Sequence, residues 1–222
     1  MQLIKTLRQL SRGLTLLINR TIRQQELFDR FPGVIFGDDV LLLGASKFFP
    51  GKGVFIDHRA YLNCAGGSWN QHAGFIKVGD NSEIGPYSVL WGAGGITIGT
   101  NVHIGAHVSI TAHEARQVLP NQTDAWQPLS FEFAPVVIED HALICSGALI
   151  VPGVRIGHHA MIGGGSVVTK DIPPYALAVG CPAKVIRFSN EAPKPDSATD
   201  SIVGGWDPLN LPASERRSSA VP

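Results

Sequence analysis

The sequence has 222 residues, and its 18 Lys and Arg balance its 18 Asp and Glu, so it carries no net formal charge. That length suits one main domain with terminal appendages, and the balanced charge gives no support to a nucleic-acid-binding function. No stretch reaches the roughly 18 consecutive apolar residues that a membrane-spanning helix needs. Abundant glycine and proline, together with 44% hydrophobic residues, favour a turn-rich β protein over a disordered chain.

The first predicted unit is an N-terminal amphipathic helix over residues 1–32. Its leucines are spaced by three and four and form one apolar stripe: Leu3, Leu7, Leu10, Leu14 and Leu17. No small-residue cleavage pattern follows a compact apolar run, so we expect no secretory signal peptide. Two interpretations stay open, a helix that packs on its own domain and a basic helix that contacts an anionic membrane surface.

A six-residue repeat of aliphatic side chains dominates the middle of the chain. It is irregular near Ile35, is clear from Val78, and runs without a slip through Ile138, Ile144, Ile150, Ile156, Ile162 and Val168. Mostly small residues follow each of these by four positions. Three hexads make a three-sided coil, so the repeat predicts an all-β solenoid of short parallel strands over residues 33–188. Glycine at the second hexad position, as at Gly79 and Gly157, is expected to relax the corner backbone.

Two interruptions break the repeat. Its phase shifts by two positions at residues 92–95, a glycine-rich segment expected to absorb a bulge. After His113, residues 114–135 lack the hexad and carry several aromatic side chains. A loop of that length inside a regular solenoid is expected to serve function or to be disordered, and its aromatics argue against disorder alone.

The repeat ends at Asp171-Ile172-Pro173-Pro174, and a cap is expected from Gly180. The remaining residues, 189–222, are rich in Ser, Pro, Ala and Asp, which predicts a flexible tail.

The three cysteines, Cys64, Cys145 and Cys181, are odd in number and form no CxxC pair. This pattern predicts reduced thiols in a cytosolic protein. Cys145 follows an inward Ile at a turn, so a nucleophilic role stays open beside the more ordinary one of a small packing residue.

The hexads and the residues after them resemble a known family. Val78-Gly79-Asp80-Asn81 and Ile98-Gly99-Thr100-Asn101 look like the repeats of hexapeptide-repeat acyltransferases. Val167-Val168-Thr169-Lys170 and Gly180-Cys181-Pro182-Ala183 are similar to the ending of the galactoside, maltose, nodulation and colanic-acid-type O-acetyltransferases. The resemblance covers residues 75–188. It implies a left-handed parallel β-helix, acetyl-CoA as co-substrate with no metal required, and a homotrimer.

Transfer of an acetyl group to a hydroxyl needs a base that takes the hydroxyl proton, and imidazole has a suitable pKa. Of the eight histidines, His113 stands where the repeat breaks. The resemblance implies that the catalytic base stands at this point, just before a protruding loop; the alternative is a solvated turn histidine. Glu114 is a candidate to orient the imidazole or contact the acceptor, against the plainer interpretation of a solvated carboxylate.

The donor site is implied by the resemblance, as a groove between neighbouring subunits that holds the pantetheine arm of acetyl-CoA. Small residues at matching places are Ser146, Gly147, Gly164 and Gly165. Thr169 and Lys170 are expected near the adenine and phosphate end, and Arg187 at the 3′-phosphate, because cationic side chains suit phosphate binding.

Candidate acceptor-binding residues are the aromatics Tyr87, Trp91 and Trp126, each of which has corner packing as its alternative. His103 and His107 raise the possibility of a metal site, but no three-histidine spacing with an acidic residue supports one. The resulting hypothesis is a cytoplasmic O-acetyltransferase that acts on a sugar or polysaccharide precursor, at the inner face of the membrane if the helix binds there. An N-acetyltransferase of amino- or nucleotide-sugars and a non-catalytic solenoid binding module are the alternatives.

Overall fold

The computed structural model describes residues 24–66, 74–116 and 130–189. Residues 24–30 are helical, and Ala45–Lys47 form a turn of 3-10 helix. The remaining regular structure consists of short strands: β1 (Ile35–Phe36), β2 (Leu41–Leu43), β3 (Phe48–Pro50), β4 (Phe55–Ile56), β5 (Tyr61–Asn63), β6 (Ile76–Val78), β7 (Glu83–Ile84), β8 (Val89–Trp91), β9 (Ile96–Ile98), β10 (His103–Ile104), β11 (Ser109–Thr111), β12 (His113–Arg116), β13 (Ser130–Phe133), β14 (Val136–Ile138), β15 (Leu143–Ile144), β16 (Leu149–Ile150), β17 (Arg155–Ile156), β18 (Met161–Ile162), β19 (Val167–Val168), β20 (Ala176–Gly180) and β21 (Ala183–Phe188).

The strands stack into the three sides of a left-handed parallel β-helix, as predicted. Side one has the order β1-β4-β7-β10-β15-β18-β20-β21, side two β2-β5-β8-β11-β16-β19, and side three β3-β6-β9-β14-β17. Going along the chain, the first corner joins side one to side two, the second joins two to three, and the third joins three to one. The antiparallel hairpin of β20 and β21 ends side one, where the cap was expected.

The repeating aliphatic residues form one continuous core. Ile84, Ile104, Ile144 and Ile162 are paired in register along side one, and each is at most 2% exposed. Equivalent isoleucines of successive coils therefore stack on one another at the strand spacing of about 4.8 Å. The small residues of the repeat are buried as well, and some bridge coils. The hydroxyl of Ser82, for example, donates to the carbonyl of Gly99 at 2.7 Å and accepts the N–H of Val102 at 3.0 Å.

Length changes among the coils fall at the second corner. Inward residues on sides two and three are six positions apart in the coil containing Ile150 and Ile156, but eight apart in the coil containing Leu90 and Ile98. The slip predicted at residues 92–95 is this corner, between β8 and β9. The coils before and after it carry longer insertions at the same corner, residues 64–75 and 112–135.

Glycine occupies the second hexad position for a reason other than the expected relaxation of the corner backbone. They do not have positive φ angles. Instead, a Cβ on Gly79 would lie 2.5 Å from the backbone of Gly99, and one on Gly157 would lie 2.4 Å from the backbone nitrogen of Pro174. These residues are small because consecutive coils touch there, and a side chain would push them apart.

Of the predicted N-terminal helix, the structure describes only the end. There Leu27 and Phe31 pack against the core, with the Phe31 ring 5.2 Å from that of Phe48. The leucine stripe from Leu3 to Leu17 lies outside the described residues, as does the tail after Ser189.

Candidate functional site

His113 stands where the longest insertion leaves the solenoid. It is the first residue of β12, which pairs with β13 in an antiparallel ribbon that sets His113 opposite Phe133. The ribbon begins directly after Ala112, whose N–H donates to the carbonyl of Trp91 at 2.9 Å. The backbone therefore fixes the predicted base at the foot of this ribbon, on the second corner.

Aromatic rings surround the His113 imidazole. Its ring centroid lies 5.6 Å from that of Trp91, 6.0 Å from that of Phe131 and 6.3 Å from that of Phe133. The side chain is half-buried, and this burial lowers the pKa of His113 from the usual 6.5 because a charged imidazole is poorly solvated there. The ring is consequently neutral at neutral pH and able to accept a proton.

Two polar residues of the coil before Trp91 extend this cluster, and neither was predicted from the sequence. Tyr61 lies 5.5 Å from Trp91, ring to ring, and Asn63 is only 5% exposed. The Asn63 side-chain oxygen accepts the N–H of Gly66 at 2.9 Å and so holds the start of the insertion at residues 64–75. Matching Tyr61-Leu62-Asn63 to Val89-Leu90-Trp91 as successive coils would have found them, since these residues are paired in register.

Glu114 is exposed and lies opposite Glu132 in the ribbon. Successive residues of a strand point to opposite faces, which places Glu114 on the face of the ribbon away from the His113 ring. Its predicted role in orienting the base or contacting the acceptor stays a prediction.

The predicted donor residues with small side chains come together at the first corner. Ser146 and Gly147 lie between β15 and β16, Gly164 and Gly165 lie between β18 and β19, and the N–H of Gly165 donates to the carbonyl of Ser146 at 3.0 Å. A Cβ on Gly165 would meet nothing within 4 Å. The two turns therefore leave an open notch on the outside of the solenoid.

The glycines of this notch are not needed for the turn conformation. Asp39, Arg59, Tyr87 and His107 occupy the equivalent turn position in the earlier coils, with φ angles of 56° to 58°. Gly147 and Gly165 adopt the same left-handed region, at 74° and 67°. Because side chains are accommodated in four coils, glycine in the last two is explained better by the space that it leaves.

The predicted cationic donor residues lie elsewhere on the same end of the solenoid. Thr169 and Lys170 are exposed and follow β19, at the second corner, two coils beyond His113. Arg187 is exposed on β21, opposite Leu177.

The candidate acceptor residues separate. Trp91 contacts His113, as described above. Tyr87 lies at the first corner, where it stacks on His107 at 5.0 Å between ring centroids and accepts a 3.0 Å hydrogen bond from Arg59. Trp126 lies outside the described residues.

His113 and the glycine notch therefore lie on opposite edges of side two. About six residues of extended chain separate the two corners, which corresponds to about 20 Å. Within one chain the base and the small donor residues do not form a single site.

A groove of about 340 Å³ adjoins the notch on side one. Ser146 and Cys145 form one end of it, and the contact between His103 Nδ1 and the Glu83 carboxylate, 3.4 Å apart, forms the other. Leu143 and Pro86 supply apolar lining.

The three cysteines are free thiols, as predicted. Cys64 is buried in the core, and this burial raises the pKa of its thiol to about 12, so it is neutral and unreactive at physiological pH.

Across residues 24–66, 74–116 and 130–189, no three His, Cys, Asp or Glu side chains are grouped as metal ligands. His103 and His107 belong to different surfaces, the first to the groove and the second to the first-corner stack. None of the helical segments in these ranges has the length and apolar character to cross a bilayer.

Comparison with known proteins agrees with this architecture. Residues 135–170 match the model of the bacterial transferase hexapeptide, and residues 75–112 match that of the hexapeptide repeat of succinyl-transferase. The structure of a maltose O-acetyltransferase from Clostridium difficile 630 is 32% identical, with a TM-score of 0.52, over 66% of this chain and 73% of that one. The chain belongs to the hexapeptide-repeat acetyltransferases.

Curated relatives of this hexapeptide-repeat protein include both O- and N-acetyltransferases. The galactoside O-acetyltransferase of Escherichia coli K12 is 42% identical over 101 residues, 45% of this chain and 47% of the relative. The 2,3,4,5-tetrahydropyridine-2,6-dicarboxylate N-acetyltransferase of Staphylococcus aureus MRSA252 is 38% identical over 95 residues, 43% of this chain and 34% of the relative. The chain thus spans between a third and a half of the length of these curated relatives.

Proposed function

We propose that this protein transfers an acetyl group from acetyl-CoA to a hydroxyl of a sugar or polysaccharide precursor, with His113 as general base. The observation that carries the proposal is the half-buried imidazole of His113, fixed at the foot of the ribbon and held neutral by its surroundings. The similarity to galactoside and maltose O-acetyltransferases supports a sugar hydroxyl as the acceptor.

The chemistry needs one proton acceptor and a thioester. His113 takes the proton of the acceptor hydroxyl as its oxygen attacks the thioester carbonyl carbon. The tetrahedral intermediate collapses with cleavage of the carbon–sulfur bond, and the imidazolium returns the proton to the departing thiolate. The products are the acetyl ester and free CoA. A backbone N–H of a neighbouring chain is the proposed donor to the developing oxyanion.

The ring next to the base supports a sugar acceptor. Trp91 offers a large apolar face beside His113, and pyranose rings present C–H groups that pack on such faces. Tyr61, which contacts Trp91, adds a hydroxyl at the same edge. We therefore place the acceptor against Trp91, with one hydroxyl directed at the imidazole.

The donor is proposed to lie over the glycine notch. The open space at Gly165 would admit the pantetheine arm, and Lys170 and Arg187 are exposed cations at the same end of the solenoid, available for the phosphates. Thr169 adds a hydroxyl beside Lys170.

The separation of these groups on one chain is the reason to propose a homotrimer. If the second corner of one chain meets the first corner of the next, His113 faces the neighbour's notch. Head-to-tail contacts of this kind form a closed ring when the rotation between successive chains is a third of a turn. Three copies in a ring would give three equivalent sites, each built from two chains.

Complementation tests this assembly. A chain with His113→Gln keeps an intact notch, and a chain with Gly165→Asn keeps an intact base. If the two are co-expressed and assort at random, about a quarter of the interfaces combine the intact base with the intact notch. We expect each variant alone to be nearly inactive at low acetyl-CoA and the mixture to recover about that fraction. A mixture no more active than its parts would show that each site lies within one chain.

The decisive experiment for catalysis is acetyl-CoA turnover with a free-thiol readout across a panel of sugar acceptors. His113→Gln is expected to lower kcat by a factor of about 10² to 10⁴ while CoA affinity and thermal stability stay near those of the original protein. His141→Gln, an exposed histidine at the third corner, is the matched control and should keep full activity. Equal turnover by the His113 variant would remove His113 as the base, whereas no turnover by the original protein on any acceptor would support a non-catalytic binding module.

An N-acetyltransferase is the second candidate, favoured by the similarity to the Staphylococcus aureus N-acetyltransferase. A neutral imidazole serves an amine nucleophile as well as a hydroxyl. Paired acceptors that differ only in a hydroxyl or an amine at one sugar carbon separate the two functions by their kcat/KM values.

We also propose a cytoplasmic location, where acetyl-CoA is available, with the helix predicted for residues 1–32 contacting the inner face of the membrane. Co-sedimentation of the full chain with anionic vesicles, but not with neutral ones, is the expected result. Equal recovery in the supernatant with both would argue against membrane contact.

A further inference from the structure

The ribbon that carries His113 rests on the glycine-rich corner of the coil before it. The N–H of Ala134 donates to the carbonyl of Ala112 at 3.0 Å and closes the foot of the ribbon. The two sides of this foot are bonded to the two ends of residues 91–95. Ala112 donates to Trp91 on one side, and Val136 donates to Gly95 at 3.0 Å on the other.

Gly94 lies directly under this foot. A Cβ on Gly94 would be 2.0 Å from the carbonyl oxygen of Ala112 and 2.9 Å from the nitrogen of Ala134. These are the acceptor and donor of the closing hydrogen bond. Both obstacles are backbone atoms, so no side-chain rotation could relieve the contact.

We infer that Gly94 is a positioning residue for the reaction, because its bare backbone lets the ribbon seat at the height that places His113 in the site. This inference rests on the proposed function of His113. Gly94 touches no reacting atom and acts through Ala112, the residue immediately before the base. The two-residue extension of this corner, which looks like a defect in the repeat, is the seat of the ribbon.

The expected size of the effect follows from the contact. Side-chain carbons are not found within 3.0 Å of such atoms, so Gly94→Ala must move the Ala112 carbonyl by about 1 Å or more. A misplacement of about 1 Å in a catalytic group lowers turnover by about 10². Gly94→Ala is therefore expected to lower kcat about 100-fold with an unchanged KM for acetyl-CoA.

Gly79→Ala is the matched control. Gly79 lies between β6 and β7, at the third corner, and its Cβ would lie 2.5 Å from the backbone of Gly99, away from the ribbon. Both variants should lower the melting temperature, but only Gly94→Ala should lower kcat. If Gly94→Ala fails to fold, Ala134→Pro replaces it, because proline replaces the N–H that closes the foot with a ring carbon and so disturbs the position of the ribbon while Gly94 itself is unchanged.

The pH dependence supplies a readout that destabilisation alone would not move. Displacing the ribbon hydrates His113. The pKa that defines the acid limb of the kcat–pH profile should therefore rise toward that of an ordinary imidazole. The described ionisable side chains on the elements around His113 are Tyr61, Glu114 and Glu132, and none is altered by these variants. NMR titration of the His113 ring gives the same measurement without activity.

The outcomes separate the two hypotheses. If His113→Gln is as active as the original protein, the proposed function is wrong, while the NMR titration still reports whether Gly94 sets the position of the ring. If His113→Gln is inactive but Gly94→Ala and Ala134→Pro keep the original kcat and acid limb, the positioning role of Gly94 is wrong.

Discussion

Substitution of Gly165 by asparagine tests whether the notch at the first corner holds the donor. At this position φ is +67° and a Cβ would meet nothing within 4 Å, so the new side chain has room and projects outward over the notch. Asparagine tolerates left-handed backbone, and Asn81 and Asn101 already adopt φ values of 54° and 53° in this chain. The backbone cost to folding should therefore be about 1 kcal/mol.

The effect on the donor should be larger than the effect on the fold. A side chain in the path of the pantetheine arm must displace it, and we expect KM for acetyl-CoA to rise at least about tenfold, equivalent to about 1.4 kcal/mol. Gly33→Asn is the control, because Gly33 also has a positive φ, +91°, and a Cβ there would likewise meet nothing within 4 Å, but it lies at the start of the solenoid.

The assay combines urea unfolding with initial rates at varied acetyl-CoA, measured by thiol release. Both variants should lose similar stability, and only Gly165→Asn should lose donor affinity. A KM within twofold of the original value, or an equal rise in the Gly33 variant, would refute the assignment of the notch.

Three further measurements follow from the site and the core. Because burial lowers the pKa of His113 and the neutral ring is the active form, the acid limb of kcat/KM should lie below pH 6.5; a limb at or above that value would contradict the burial of the ring. Lys170→Ala and Arg187→Ala should each weaken CoA binding severalfold in calorimetry, and unchanged affinity would remove that residue from the donor site. Ile144→Ala should lower the free energy of unfolding by about 3–4 kcal/mol, because the strand hydrogen bonds on both sides keep neighbouring coils from closing the cavity. Met161 lies on the same side but is 39% exposed, so Met161→Ala should lower the free energy of unfolding much less.

The solenoid could be predicted because its signal is local and repeated. An inward residue every six positions, as at Ile144 and Ile150, fits three short strands per coil and no helix. The place where the repeat stops was equally visible, and it located His113.

The neighbours of His113 could not be predicted in the same way, because they depend on the register between coils. Tyr61 pairs with Val89, 28 positions later, whereas Val89 pairs with Ser109, only 20 positions later. An insertion of unknown length thus hides which residues are stacked. Phe133 lies opposite His113 on β13, the return strand of the ribbon. The register of β12 and β13 depends on the loop between them and could not be predicted from the sequence either.

Tyr87 shows the opposite difficulty. It is four residues from Trp91, and both are aromatic, so grouping them as acceptor residues was reasonable from the sequence. Four extended residues, however, cross most of one side of the solenoid. The two side chains therefore lie at different corners, and the Tyr87 ring stacks on His107 instead of lying near Trp91.

The confinement of every length change to the second corner bears on how such a protein could diversify. Residues 64–75 and 112–135 lengthen two coils without altering the pairing of Leu62 with Leu90 or of Ile110 with Ile150. We therefore expect that segments at this edge can be exchanged between proteins of the same architecture, provided that the second-corner segments that contact each other are moved together. A chimera that receives new second-corner segments should keep its core and its donor notch while changing the acceptors it accepts, which makes this edge the natural target for engineering new specificity.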